Sequence, residues 1–153
     1  MTSELTIRTA DQNDLPALIA LYSQLHPNDE PVSPAVGARL LDQLSLYPGS
    51  SIVLGLRGDA VVATCTLIII PNLTRRGAPY ALIENVVTDA HHRKRGYGKA
   101  ILHVAIATAW RQDCYKVMLL TGSGDPATLR FYQEVGFEQR KTGFQVRRVP
   151  PCR

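Results

Sequence analysis

Residues 80–111 read "YALIENVVTDAHHRKRGYGKAILHVAIATAWR", and this stretch decides the fold. Its opening, Tyr80–Thr88, is a mostly apolar, β-branched run that is expected to form a strand. Its close places Gly98, Ile101, Leu102, Ala105 and Ala109 on one helical face, with Lys99, His103 and Arg111 on another. A strand therefore feeds a helix through a short basic junction. Residues 91–100, "HHRKRGYGKA", hold four fixed positive charges, two histidines and two glycines. Three readings compete for them: a nucleic-acid patch, a phosphate-binding loop, or a solvated helix entrance.

A helix N-terminus has unpaired N–H groups and a partial positive charge. Glycines let an anion approach that backbone closely, so Gly96 and Gly98 favour a phosphate or diphosphate site. Arg93, Lys94, Arg95 and Lys99 add mobile charge. A Walker A loop fails here, because position 93 is Arg and Ala100 follows Gly98-Lys99. A dinucleotide fingerprint starting at Gly96 fails at Ile101. "GSGDPA", residues 122–127, fits that fingerprint by letter, but it lies too near the end for a full βαβ unit and no acid sits about 20 positions on. The spacing that does fit is Arg93-x-x-Gly96-x-Gly98.

Working outward, "LTIRTA" alternates as a first strand, and Asp11 offers a cap for a helix carrying Leu15, Leu18, Ile19, Tyr22 and Leu25. Ser33-Pro34 opens a second helix after a Pro-rich connector. Residues 50–70 form a hairpin about Gly58-Asp59, and "PNLTRRGAP" is a loop. Beyond the central helix, "YKVMLLT" reads as a buried strand. Asp125-Pro126 caps a last helix that ends at Gly136, and "FEQRKTGFQVRRV" supplies one or two closing strands. The order is β-α-α-β-β-β-α-β-α-β, an α/β (α+β) arrangement with a parallel pair inside a mixed sheet.

The chain has 153 residues, 45% apolar and 20% charged, so a single globular domain over 1–153 is expected. The net charge of +4 is concentrated in local clusters and fits an anionic partner. Cys65, Cys114 and Cys152 form no paired framework, which favours reduced thiols in a cytoplasmic protein. No signal peptide, membrane span or metal-ligand spacing is read in the sequence.

Arg93-x-x-Gly96-x-Gly98, placed after a strand and opening a helix, resembles the coenzyme A diphosphate motif of the GNAT superfamily of acyl-CoA-dependent N-acetyltransferases. Two further features agree: the element order, and "FYQEVGF", residues 131–137, which resembles the superfamily's second signature. The motif-level likeness covers about residues 82–137. It implies a GNAT-like mixed, mostly antiparallel sheet flanked by helices, with acetyl-CoA as co-substrate and no metal. Val86 and Val87 then match the strand end that pairs with the pantetheine arm. Arg93, Lys94, Arg95, Gly96, Tyr97, Gly98 and Lys99 match the diphosphate loop. Tyr132 matches the tyrosine beside the leaving sulfur. The sequence departs from the pattern at Asp125, where many relatives carry Asn, and the helix-cap reading leaves Asp125 outside the site.

The implied reaction takes a proton from an amine and returns one to a thiolate. Glu84 is the candidate base, on the expectation that a partly buried strand carboxylate has a raised pKa. "LIENVV" is similar to the corresponding strand of glucosamine-phosphate N-acetyltransferases, which carry an acidic residue there. Tyr132 is the candidate acid, with an ordinary pKa of ~10. The plainer alternatives stay open: Glu84 facing solvent or pairing with Arg75 or Arg76, and Tyr132 as a packing aromatic. The acceptor is a small-molecule or peptide amine, and a homodimer is the default implied by the superfamily. A non-catalytic coenzyme A-binding domain and a basic nucleic-acid-binding module are the competing functions. The second lacks interleaved aromatic and basic side chains and any RNP-type motif, so neither nucleic acid nor membrane is expected as a partner.

Overall fold

The computed structural model describes residues 4–150. One sheet holds β1 (Leu5–Thr9), β2 (Ser51–Arg57), β3 (Ala60–Ile70), β4 (Tyr80–Thr88) and β5 (Val117–Met118), in that spatial order. The first four strands pair antiparallel, and β5 joins β4 in parallel. The parallel pair needs a crossover, which is α3 (Tyr97–Arg111). The remaining helices are α1 (Leu15–Leu25), α2 (Pro34–Ser45) and α4 (Pro126–Val135).

Local chemistry sets the boundaries. Ser33 Oγ accepts from the Val36 N–H at 3.3 Å, and Pro34 follows as the first residue of α2. Asp125 Oδ1 accepts from the Ala127 N–H at 3.0 Å, and Gly136 ends α4 at φ 116°. Asp11 caps one turn earlier than expected. It closes a 3-10 turn, Gln12–Asp14, that runs into α1. Within that turn the Asp14 carboxylate takes two hydrogen bonds from the Arg8 guanidinium, at 2.7 and 2.8 Å.

The core lies mainly between α3 and the sheet. Gly98, Ile101, Leu102, Ala105 and Ala109 are all buried, against Ala63, Cys65, Leu67, Ala81 and Ile83. The opposite face of the sheet is covered by α1, through Leu18 packed on Leu54 and Leu56. The Tyr22 hydroxyl bonds Thr66 and Thr64 there, so this tyrosine is a core residue. β3 is buried on both faces, which explains its nearly unbroken apolar sequence.

Two expectations need correction. β5 is only Val117–Met118 rather than the whole of "YKVMLLT". Residues 137–149 contain no strand, so the closing β element is absent from the described residues. Phe144 and Val146 are 91% and 98% exposed, because no free sheet edge pairs with this alternating run. Trp110, at the end of α3, is 51% exposed. Cys65 and Cys114 are buried free thiols, and burial pushes the Cys65 thiol up to about 12. Cys152 lies outside the described residues.

Candidate active site

β4 changes course in its middle. Glu84 pairs with Thr66 and Val87 with Thr64, so Asn85 and Val86 together oppose Cys65. This is a β-bulge, and Asn85 takes a left-handed conformation with φ 52° to make it. β5 pairs with β4 only at Ala81 and Leu82, before the bulge. Beyond Leu82 the two strands part, and the β5-facing backbone of β4 has no ladder partner among the described residues.

A cleft of about 690 Å³ opens where the strands part. Val86, Val87, Arg93, Lys94, Gly96, Tyr97, Gly98, Lys99 and Tyr132 line it, all of them anticipated from sequence. Arg95 does not line it. Gln24, Leu25, Thr88, His92, Ala127, Thr128 and Phe131 complete the wall and were not anticipated. Thr128 and Phe131 lie within one helical turn of Tyr132, so the second signature contained a signal for them. Gln24 had none, because only the fold brings α1 to this cleft.

The two junction glycines do different work. Gly96 sits at φ 81°, with nothing within 4 Å of the place a Cβ would occupy, so its role is conformational. A Cβ on Gly98 would lie 3.1 Å from both Phe131 Cζ and Thr88 Oγ1. Gly98 therefore lets the first turn of α3 close against α4 and the end of β4. α3 also begins without any side-chain cap, and its first N–H groups have no intrahelical acceptors. Uncapped donors beside a polar cleft fit a diphosphate.

The charges of the junction are more restrained than the sequence suggested. Lys99 pairs with Glu134, and Arg93 Nε donates to the Thr88 carbonyl at 3.3 Å. His92 Nδ1 meets Asp89 Oδ1 at 2.8 Å, while Gln24 Nε2 donates to Asp89 Oδ2 at 2.7 Å. The Ala90 N–H donates back to Gln24 Oε1 at 2.9 Å, so α1 is tied to the junction. The Gln24 amide, then His92, holds the Asp89 carboxyl down to about 2. His92 is thus a fixed part of the wall.

Tyr132 packs edge-on to Phe131 and Phe137, with ring centres 5.0 and 6.2 Å away. Burial raises its hydroxyl pKa, with further contributions from Cys65 and Glu84, which keeps it protonated at neutral pH. Glu84 thus acts electrostatically on Tyr132 across 48 positions of sequence. Glu84 itself is exposed, not partly buried as expected, and lies outside the lining of the cleft. It has no ion pair with Arg75 or Arg76. Among the described residues no cluster of His, Cys, Asp or Glu could hold a metal ion, and no helix is long and apolar enough to cross a membrane.

A strand parted from its parallel neighbour over an uncapped, glycine-led helix is the frame of an acyl-CoA-dependent acetyltransferase. The chain belongs to the acetyltransferase (GNAT) family, whose model matches residues 15–137. Among individual proteins, it is 46% identical to a solved structure from Agrobacterium tumefaciens str. C58 to which acetyltransferase activity is ascribed. That match has a TM-score of 0.89 and covers 94% of this chain and 99% of the other. It is also 28% identical over 138 residues to the glucosamine 6-phosphate N-acetyltransferase of Trypanosoma brucei brucei, covering 88% of this chain and 89% of that protein. An Arabidopsis thaliana glucosamine-6-phosphate N-acetyltransferase, 20% identical, shares the fold with a TM-score of 0.87, covering 96% and 100% of the two chains.

Proposed function

We propose that this chain is a single-domain, cytoplasmic enzyme that transfers an acetyl group from acetyl-CoA to a primary amine of a small molecule or peptide by direct attack. The observation that carries this is the parting of β4 and β5 after Leu82, with Val86 and Val87 lining one cleft together with Tyr132 and the uncapped start of α3. The diphosphate is held by the main-chain N–H groups from Gly96 to Lys99, with Arg93 shaping the loop and Lys94 adding charge. Arg95 contributes charge only at a distance. Val86 and Val87 present free backbone groups to the pantetheine arm, and an N–H near Val87 polarises the thioester carbonyl.

Acetyl-CoA supplies the acetyl thioester. The Glu84 carboxylate accepts the amine's proton, directly or through water, from the open face of the sheet. The Tyr132 hydroxyl donates its proton to the departing sulfur from the cleft side. Burial keeps that hydroxyl protonated and so supports the assignment. The substrate named for the trypanosome relative makes a hexosamine phosphate the first acceptor to try.

Thiol release from acetyl-CoA, followed across a panel of amines, tests the reading. Tyr132→Phe and Glu84→Gln should each lower kcat about 100-fold or more, the usual range for a lost acid or base, while acetyl-CoA binding persists. Binding without turnover for any amine would leave a non-catalytic coenzyme A-binding domain. Absence of acetyl-CoA binding would overturn both.

A further inference from the structure

The loop between β3 and β4 carries three successive left-handed residues: Arg75 at φ 54°, Arg76 at φ 59° and Gly77 at φ 81°. Glycine adopts this region freely, but arginine does so at a cost in strain. The surrounding structure enforces it. The Asn72 side-chain amide donates to the Thr74 carbonyl at 3.1 Å, to Thr74 Oγ1 at 3.0 Å and to the Ala78 carbonyl at 3.2 Å. Gly77 N–H donates to the Thr74 carbonyl at 3.0 Å and Ala78 N–H to the Arg75 carbonyl at 3.2 Å. A latched, strained turn thus carries two adjacent arginines.

A third cation, Lys116, joins them from the residue just before β5. Arg75 Cζ lies 5.6 Å from the Tyr115 ring centre, and Lys116 Nζ lies 5.4 Å from the same ring and 5.2 Å from that of Tyr80. The two rings meet edge-on at 6.4 Å. Aromatic faces hold these cations in place, but they do not neutralise them. No carboxylate pairs with Arg75, Arg76 or Lys116 among the described residues, whereas Arg8, Lys99 and Arg140 all have acidic partners. Like charges gathered on shared rings without an acid form a ready anion site.

The site stands on the face of the sheet that carries Glu84. Tyr80, Leu82 and Glu84 alternate onto one face of β4, and Tyr80 is four residues, or about 13 Å, from Glu84. Between them the floor is apolar: Leu82 is flanked in register by Ile68 on β3 and Met118 on β5. From these positions we infer that Arg75, Arg76 and Lys116 form the subsite for an acidic group of the acceptor, phosphate or carboxylate, carried well away from its reacting amine. This rests on the acetyl-transfer reading above and specifies its acceptor class: an elongated amine with an anionic far end.

The test uses the full chain in two arms. In the kinetic arm, saturating acetyl-CoA is supplied with matched acceptors: a hexosamine phosphate against the free hexosamine, and a short peptide amine with a free C-terminal carboxylate against its C-terminal amide. The anionic member of at least one pair should have a KM about tenfold lower, and which pair discriminates identifies phosphate or carboxylate. Arg75→Ala and Lys116→Ala should each raise that KM about tenfold, with the effect on KM rather than kcat, and collapse the charged-to-neutral ratio toward one. Equal use of charged and neutral acceptors, or discrimination that survives the double variant, overturns the subsite. In the binding arm, inorganic phosphate is titrated while backbone amide resonances are followed. Saturable shifts at Arg75–Gly77 and Tyr115–Lys116 that vanish in Arg75→Ala support the subsite even if no acceptor turns over. Shifts confined to the Gly96 junction overturn it. Failure of every amine to release thiol strikes the acetyl-transfer reading alone.

Discussion

The loops at the two ends of β4 are both basic and both bend through left-handed residues, yet they are built in opposite ways. At the Thr88 end the critical left-handed position, next to the helix start, belongs to Gly96, and three nearby side chains are tied down. Arg93 holds a strand carbonyl, Lys99 holds Glu134 and His92 holds Asp89. Backbone N–H groups are left to face the cleft. At the Tyr80 end two arginines occupy left-handed positions and no acid restrains them. One loop presents its backbone and the other presents its side chains. A basic run is therefore not one kind of site: what matters is which groups the fold leaves unpartnered.

The largest effect is expected at Gly96. A β-branched residue cannot hold φ 81° without strain, so Gly96→Val should lower acetyl-CoA affinity more than 100-fold, read as loss of the ligand-induced rise in Tm. Lys94→Ala in the same loop should weaken binding only a few-fold. Equal losses from the two would mean that side chains do the work at this end as well.

Gly98→Ala separates packing from backbone shape. Its methyl group would crowd Phe131 and Thr88 at 3.1 Å, costing about 1–3 kcal/mol and lowering Tm by several degrees. An unchanged Tm would show that the contact gives way easily.

Asp89 gives the tied-down end a pH signature. Its folded pKa is about 2 against an ordinary 3.8, so its stabilising contribution is complete above pH ~4 and is lost as pH falls toward 2. The Tm gap between the parent and Asp89→Asn should be widest near neutrality and narrow across that acid range. A gap independent of pH would place its origin outside the Gln24–Asp89–His92 chain.

The smallest effect belongs to the strained end. Arg76→Gly removes the side-chain penalty at φ 59° and should leave Tm unchanged or raise it by a few degrees at most. A marked fall would mean that Arg76 holds the loop together instead of being held by it.

Much of this was legible in the chain because it depends on neighbours in sequence. The five buried positions of α3 follow from period, the ends of α2 and α4 from Ser33, Asp125 and Gly136, and the β2–β3 turn from Gly58-Asp59. The cleft residues from Arg93 to Lys99, Arg95 aside, followed from motif spacing, and Tyr132 from the second signature. Three features were not legible. The bulge at Asn85 depends on how β4 meets β3, and an isolated "IENVV" gives no sign of it. Gln24 reaches Asp89 from 65 positions away. The run ending "FQVRRV" alternates as a strand should, but alternation sorts side chains between faces and does not provide a neighbouring edge.

By itself, then, the sequence determined the family, the element order as far as α4 and the helix entrance with its two glycines, since each depends on local backbone preference or short-range spacing. Only the tertiary structure decided that β4 and β5 part after Leu82, that Gly98 serves packing while Gly96 serves conformation, and that Lys99 of the junction meets an acid while the cations beside Tyr80 and Tyr115 do not. Those outcomes depend on which distant groups are brought within hydrogen-bonding or van der Waals reach, and chain order does not encode that distance.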